Sequence, residues 1–319
     1  MVNLFIYIPT YSRPIALSRQ LDCLFPQAGR FSNRVRIMVR DNDSKGPEFE
    51  AIKKKYQAEN IEFYKNFGNI GGNANIALGF VLSRENEFLW ILSDNDLVRD
   101  DCVEYLLSVL DYSIDYVVMN DHVVASKIMP WKWSDGWIEP MSWRQGLISA
   151  ALFNTNTIRD SIGDAFSYHN SSFPHLAVAC SAAKKNEQVT FMHLPYWLVH
   201  DEDMSSAENI GDYSLSQVGM PGLLSLFPKE SGRDFARQWT HRNGWLFYKN
   251  RYKYPELFAS SRYLLIKFGG SIIHFYLFKA KMLSKLSDKM DLLATHMRMN
   301  HSKSILRFLS TISHWVGFR

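Results

Sequence analysis

Ser93, Asp94, Asn95 and Asp96 directly follow five apolar residues, Phe88 to Leu92. A short apolar run that ends in polar residues reads as a buried parallel strand, and it brings Asp94 and Asp96 to the carboxyl edge of a sheet. Ligands of open α/β sheets bind at that edge. Two carboxylates spaced i, i+2 on a tight turn, with no thiol or imidazole close in sequence, suit a hard cation such as Mg²⁺ or Mn²⁺. Such ions share phosphate oxygens with their substrates, so the pattern points to a nucleotide diphosphate. The same residues also suit a solvated acidic turn.

The elements that must position these carboxylates alternate regularly. Leu4 to Pro9 form a β-prone run, and after a polar loop Pro14 stands at a first helical position ahead of Leu17, Leu21 and Leu24 at helical spacing. Val35, Ile37 and Val39 mark a second strand; Phe49, Ile52 and Tyr56 a second helix; Ile61 to Tyr64 a third strand; 71–83 a third helix. The Asp94/Asp96 strand is followed by a helix through Val103, Leu106, Leu107 and Leu110, then by a strand from Tyr116 to Met119. This order predicts an α/β fold of Rossmann type: a mostly parallel sheet with helices on both faces, its loops gathered on one edge. Three of those loops carry polar residues that make joint sense. Tyr11 follows the first strand, where a ring can stack on a base. Asp41 follows the second, where a carboxylate can accept from a base N–H or a ribose hydroxyl. The Gly/Asn loop 66–73 opens a helix, so its backbone N–H groups can approach a ligand. Each taken alone is equally a cap or a turn.

Composition sets the outer limits. The chain has 319 residues, of which 46% are hydrophobic, enough for a sizeable core. Cys23, Cys102 and Cys180 are scattered without metal or redox spacing, and the N-terminus enters a strand pattern with no signal-peptide features, which together predict a reduced, cytoplasmic protein. Charge is uneven: 229–319 holds 17 Lys/Arg against 5 Asp/Glu, while 1–228 holds 19 against 27. The expected division is a catalytic domain over 1–228 (1–120 for the nucleotide, 121–228 for the acceptor) and a helical basic region over 229–319.

Ile8-Pro9-Thr10-Tyr11-Ser12-Arg13-Pro14, Arg40-Asp41-Asn42-Asp43-Ser44, Asn66-Phe67-Gly68-Asn69-Ile70-Gly71-Gly72-Asn73 and Trp90-Ile91-Leu92-Ser93-Asp94-Asn95-Asp96 stand in the order and spacing of the family 2 glycosyltransferases of GT-A fold, which residues 3–120 resemble. More loosely, Trp143 to Ser149 and Phe173 to Leu176 are similar to an abequosyltransferase-like branch that builds bacterial surface polysaccharides. The resemblance implies an inverting, metal-dependent hexosyl- or deoxyhexosyltransferase. Tyr11 and Asp41 would hold the base, and Pro9, Arg13, Asn69, Gly71, Asn73, Asp94 and Asn95 would line the donor. Asp94 and Asp96 would hold Mn²⁺ or Mg²⁺, with His200 of His200-Asp201-Glu202-Asp203 as a further ligand. The donor would be a UDP-, dTDP- or other NDP-sugar, and the acceptor a lipid-linked or growing O-antigen or capsule glycan.

The chain departs from the family pattern where a carboxylate base is expected at the start of a helix, reading Ser171-Ser172-Phe173-Pro174-His175. His175, whose ordinary pKa lies near working pH, and Asp164 are the candidate bases. Further expectations are a loop over 163–172 leading to a helix from His175 to Lys185, an apolar segment 147–153 closing the acceptor side, and a strand from Tyr196 to Val199. Trp131, Trp133 and Trp137 suit a sugar-stacking lid or core anchors. The longest uncharged run in the basic region, 268–278, is too short to span a bilayer, and its interleaved aromatic and basic residues suit a membrane interface, a packing surface or a homo-oligomer contact. The membrane reading places the chain at the inner face of the cell membrane. No RNA- or DNA-binding module is visible, so nucleic acid is not an expected partner. Rival readings are a peripheral scaffold that binds nucleotide without turnover and a sugar nucleotidyltransferase. The latter calls for a glycine-rich basic loop after the first strand, which this chain lacks.

Overall fold

The computed structural model describes residues 2–120, 124–132, 147–195, 199–200 and 218–268. Its first half follows the alternating pattern. The strands β1 (Asn3–Thr10), β2 (Val35–Asp41), β3 (Ile61–Lys65) and β4 (Glu87–Ile91) are linked by helices α1 (Pro14–Arg30), α2 (Glu48–Lys55) and α3 (Gly72–Leu82). Every residue of β4 is buried, as a strand covered on both faces requires. All pairings among these four strands are parallel, with Thr10 opposite Asp41 and Asp41 opposite Lys65. Two glycines make this packing possible. Gly71 adopts φ +85° at the entry to α3, and a Cβ at Gly79 would stand 2.7 Å from the Tyr7 ring, so α3 can lie close against β1 only there.

After β4 come the short β5 (Leu97–Val98), α4 (Cys102–Val109), β6 (Tyr116–Asn120) and β7 (Lys127–Lys132). They are followed by β8 (Ala151–Asn154), α5 (Thr155–Ile158), α6 (Ile162–Ser167), α7 (Pro174–Asn186), β9 (Gln188–Pro195), β10 (Val199–His200), α8 (Lys229–Lys249) and α9 (Pro255–Lys267). The main sheet has the order β3-β2-β1-β4-β8-β6-β9-β7, in which β8 and the edge strand β7 run against their neighbours. β5 pairs with β10 in a separate two-stranded ladder.

Three expectations are corrected here. Of the segment 147–153 expected to close the acceptor side, Ala151, Leu152 and Phe153 do not: they are wholly buried in β8, in the middle of the sheet between β4 and β6. Residues 163–172 are not an open loop but the rest of α6 and a 3-10 turn over His169–Ser171, because Ala165 is buried as part of the core beneath them. Trp131 is no lid: in β7 its indole turns inward and meets the Phe191 ring edge-on at 5.5 Å. Trp133, Trp137 and residues 143–146 lie outside the described residues, as does most of the strand expected over 196–199.

Two apolar clusters cover the faces of the sheet. One contains Leu17, Leu21, Ile52 and Leu106 from α1, α2 and α4; the other contains Phe80, Leu176 and Val178 from α3 and α7. The second continues through Trp239, Phe247, Leu265 and Phe268, so α8 and α9 share a core with the sheet. Among the described residues no helix is long and apolar enough to cross a membrane.

Candidate active site

The carboxyl ends of β1, β2 and β4 bring the sequence-derived residues together. Beyond β4 the chain turns at Asp94-Asn95, closed by the Asp96 N–H donating to the Ser93 carbonyl at 3.2 Å. Asp94 is 2% exposed. A carboxylate buried to that extent needs partners, and β1 and the loop after it supply them: Thr10 Oγ1 donates to Asp94 Oδ2 at 2.7 Å and Arg13 donates to Oδ1 at 3.0 Å. The loop after the first strand is thus tied to the acidic turn by a charge-assisted hydrogen bond. The turn is also braced from the far half of the chain, where Ser149 Oγ accepts the Ser93 N–H at 2.9 Å and the Ser149 carbonyl accepts the Trp90 indole N–H at 2.8 Å.

Asp41, at the end of β2, has no exposed surface. It accepts the Ser44 N–H at 3.0 Å and the Ser44 hydroxyl, and Ser44 Oγ in turn accepts the Ser12 N–H at 2.7 Å. A cavity of about 200 Å³ opens beside these groups. Thr10, Arg13, Asp41 and Lys45 give it a polar side, and Leu17 and Phe49 an apolar floor. Lys45 is held charged above its ordinary range, first by its hydrogen bond to Asp43 and less strongly by the nearby Tyr11 and Asp41.

The Gly/Asn loop is positioned by asparagines rather than by glycine freedom alone. Asn66 Nδ2 donates to Asn42 Oδ1 and to Asn75 Oδ1, both at 3.0 Å; Asn42 Nδ2 donates to Asn69 Oδ1 at 2.9 Å. The Ile70 N–H goes to Asn42 Oδ1 at 3.0 Å and the Gly71 N–H to Asn69 Oδ1 at 2.8 Å, so these two backbone donors serve the loop itself. Asn73 lies in the first turn of α3, half-buried. Pro9 and Tyr11 bracket Thr10, with Tyr11 exposed, and Asn95 is half-buried in the turn.

The remaining candidates are placed differently. His200 pairs with Leu97 in the β5–β10 ladder, so its backbone is brought beside the residue that follows Asp96. The described side chains contain no group of three His, Cys, Asp or Glu able to hold a metal, and the His200 side chain is outside them. Asp94 and Asp96 put two carboxylates, the ligand type of a hard divalent cation, on one turn. His175 is 2% exposed in the first turn of α7, its ring 6.0 Å from that of Phe173. Asp164 is half-buried on α6, which packs against α7.

Thr10, Ser44, Asn42 and Asn66 stand inside the sequence motifs but carry no role that the motifs themselves imply. Their common signal is a short polar side chain immediately beyond a strand, which is where loop backbone needs partners. Ser149 had no such signal, because only the antiparallel insertion of β8 brings it near β4.

No family model and no curated protein matches the chain. The structure is similar to that of S. aureus TarS, with a TM-score of 0.52 and 12% identity over 76% of this chain. The chain spans only 43% of the length of that TarS chain. It is equally similar to S. aureus TarS 1-349 in complex with UDP, at a TM-score of 0.52 and 12% identity, covering 76% of this chain and 71% of that one. This likeness bears on the fold alone: an eight-stranded mixed α/β sheet flanked by helices, similar to that of the TarS structures.

Proposed function

We propose that this chain transfers a hexosyl or deoxyhexosyl group from a UDP-, dTDP- or other NDP-sugar to a glycan or lipid-linked glycan. The observation that carries the reading is the convergence of Asp94, Arg13, Thr10 and Asp41 on one sheet edge beside a cavity. That the same fold was solved as a complex with UDP in TarS 1-349 supports a nucleotide donor.

In this reading Asp41 and Tyr11 hold the base, and the Arg13 guanidinium stands where a diphosphate would meet the acidic turn. Asp94 and Asp96, with His200, would hold Mn²⁺ or Mg²⁺, which when bound supplies Lewis-acid stabilisation of charge on the departing β-phosphate. Asp94 keeps Arg13 and Thr10 in place whether or not it also touches the ion. The proton of the attacking acceptor hydroxyl passes to Asp164 or His175, with inversion at the sugar carbon. Asp164 has the better access, being half-buried where His175 is 2% exposed. Residues 1–228 form the catalytic domain in this reading. Residues 229–319 meet the inner face of the cell membrane or a second copy, and surface-polysaccharide assembly of the abequosyltransferase-like kind is the process served.

A second reading, a scaffold that binds nucleotide without turnover, is favoured by one observation: the start of α7 carries no carboxylate. Thermal-shift titration of the full chain with UDP, dTDP, GDP and CDP, with and without Mn²⁺, separates the possibilities. Metal-dependent stabilisation by one nucleotide that disappears in Asp96→Ala is expected. Sugar release from the matching NDP-sugar then supports the enzyme, binding without release supports the scaffold, and the absence of any shift removes both.

A further inference from the structure

α8 and α9 fold back on each other, and aromatic rings fill the seam between them. Phe247 of α8 meets Phe258 of α9 at 4.5 Å and Trp239 edge-on at 5.4 Å, and Leu265 has no exposed surface. A Cβ at Gly232 would run into the Phe268 ring, so the end of α9 lies tight against the start of α8. The apolar side of α9 is thus already occupied by the protein core and is not open to a bilayer.

The outward side of α9 is of another kind. Glu256, Ala259, Ser260, Tyr263 and Lys267 recur at helical spacing and all are exposed, as is Arg262. The turn leading into α9 exposes Tyr252 and Lys253, next to the exposed Lys249 at the end of α8. Tyr252 is 80% exposed and Tyr263 64%, and the Arg251 guanidinium stands 4.0 Å from the Tyr252 ring and braces it. Charge separates this surface from the rest of the hairpin. Over 229–240 the signs nearly cancel: Lys229, Arg233 and Arg237 against Glu230 and Asp234. From 249 to 267 they do not: Lys249, Arg251, Lys253, Arg262 and Lys267 stand against Glu256 alone.

A surface of one sign with tyrosines among its cations complements anionic phospholipid, which attracts nearby Lys and Arg while tyrosine rings settle at the level of the headgroups. We propose that the turn 250–254 and the outward side of α9 rest on an anionic bilayer, with Tyr252 and Tyr263 at the headgroups and no helix inserted. The placement rests on the reading of 229–319 given above and commits that region to lipid rather than to a second copy. With the apolar side of α9 closed off, the contact is electrostatic and weakens as salt rises.

Co-sedimentation of the full chain with vesicles of phosphatidylcholine, alone or mixed with phosphatidylglycerol, tests the contact. Binding is expected only to the mixed vesicles and fades with added salt. Lys249→Gln/Lys253→Gln/Lys267→Gln should bind about a hundredfold more weakly. Lys53→Gln/Lys54→Gln/Lys184→Gln removes the same charge from exposed positions on α2 and α7 and should bind as the natural chain does. Equal binding to neutral vesicles, absence of binding, or like behaviour of the two triple variants overturns the proposal. So does sedimentation velocity in which the natural chain is a dimer and the variant at the turn a monomer, which gives this surface to a second copy. The nucleotide thermal shift is measured on the same preparations. A shift without vesicle binding overturns the membrane contact alone, and vesicle binding without a shift overturns the transferase reading alone.

Discussion

The two halves of the main sheet are built by different rules. β3, β2, β1 and β4 are parallel and their polar side chains pair with one another at the carboxyl edge. β8, β6, β9 and β7 mix directions, and among the described residues Tyr116 Oη and His193 Nε2 in these strands are buried without a hydrogen-bond partner; in the first half the amide of Gln20, on α1 and away from the carboxyl edge, is likewise unpartnered. Side-chain networks that are fully satisfied fix geometry, whereas isolated buried polar groups cost stability without fixing anything. A rigid ligand site is expected in the half whose loops are hydrogen-bonded to each other.

The largest effect should come from the join between the halves. Phe153, wholly buried in β8, meets Phe80 at 5.1 Å and Tyr116 at 4.9 Å. Phe153→Ala should cost about 3–5 kcal/mol. If the sheet is one cooperative unit, urea unfolding followed by tryptophan fluorescence and by circular dichroism will shift as a single transition; two transitions would break the comparison into two separate bodies. A smaller effect is expected inside the first half. Asn66→Ala removes three side-chain hydrogen bonds, among them the one the Arg40 guanidinium donates to Asn66 at 2.6 Å. A loss of about 1–3 kcal/mol should appear in denaturant melts, with faster amide exchange confined to residues 66–71.

The smallest effect lies in the second half and depends on pH. Burial, and secondarily the charge of Lys127, hold the His193 imidazole below its ordinary value of about 6.5. The unfolded chain then takes up this proton at higher pH than the folded one. The stability associated with a neutral His193 is therefore full above about pH 6.5 and declines as pH falls through the interval beneath it. His193→Phe, which keeps an aromatic ring against Phe191, should flatten the difference in urea midpoint between pH 7 and pH 5.5. An unchanged slope would assign that sensitivity to other groups.

The same division governs what could be read from residues alone. Hydrophobic spacing located β1 to β4 and their helices, because each strand is followed by its own crossover helix and both are marked locally. Asp41, Asp94 and Arg13 were legible for the same reason: a polar residue after a buried strand has one edge to occupy. Ala151 to Asn154 carry the apolar run of a strand but nothing that says it will insert between β4 and β6, which is settled by partners far away in the chain. Trp131 could serve as lid or core in sequence, and the ring of Phe191 decided it. His175 stood at a helix start as a candidate base; its burial follows from the packing of α7 on the sheet, which periodicity does not report.

The edge strand β7 has a consequence for how this molecule meets its own copies. An unpaired strand edge invites another chain to continue the ladder, and natural sheets discourage this with lysine and proline. β7 reads Lys127-Ile128-Met129-Pro130-Trp131-Lys132: a residue without an N–H in its middle and an ammonium at each end. Strand addition on that flank would lack a donor and would have to bury charge. Among the described residues no strand pairs with the outer edge of β7, and these six residues disfavour continuing the ladder into a second copy there.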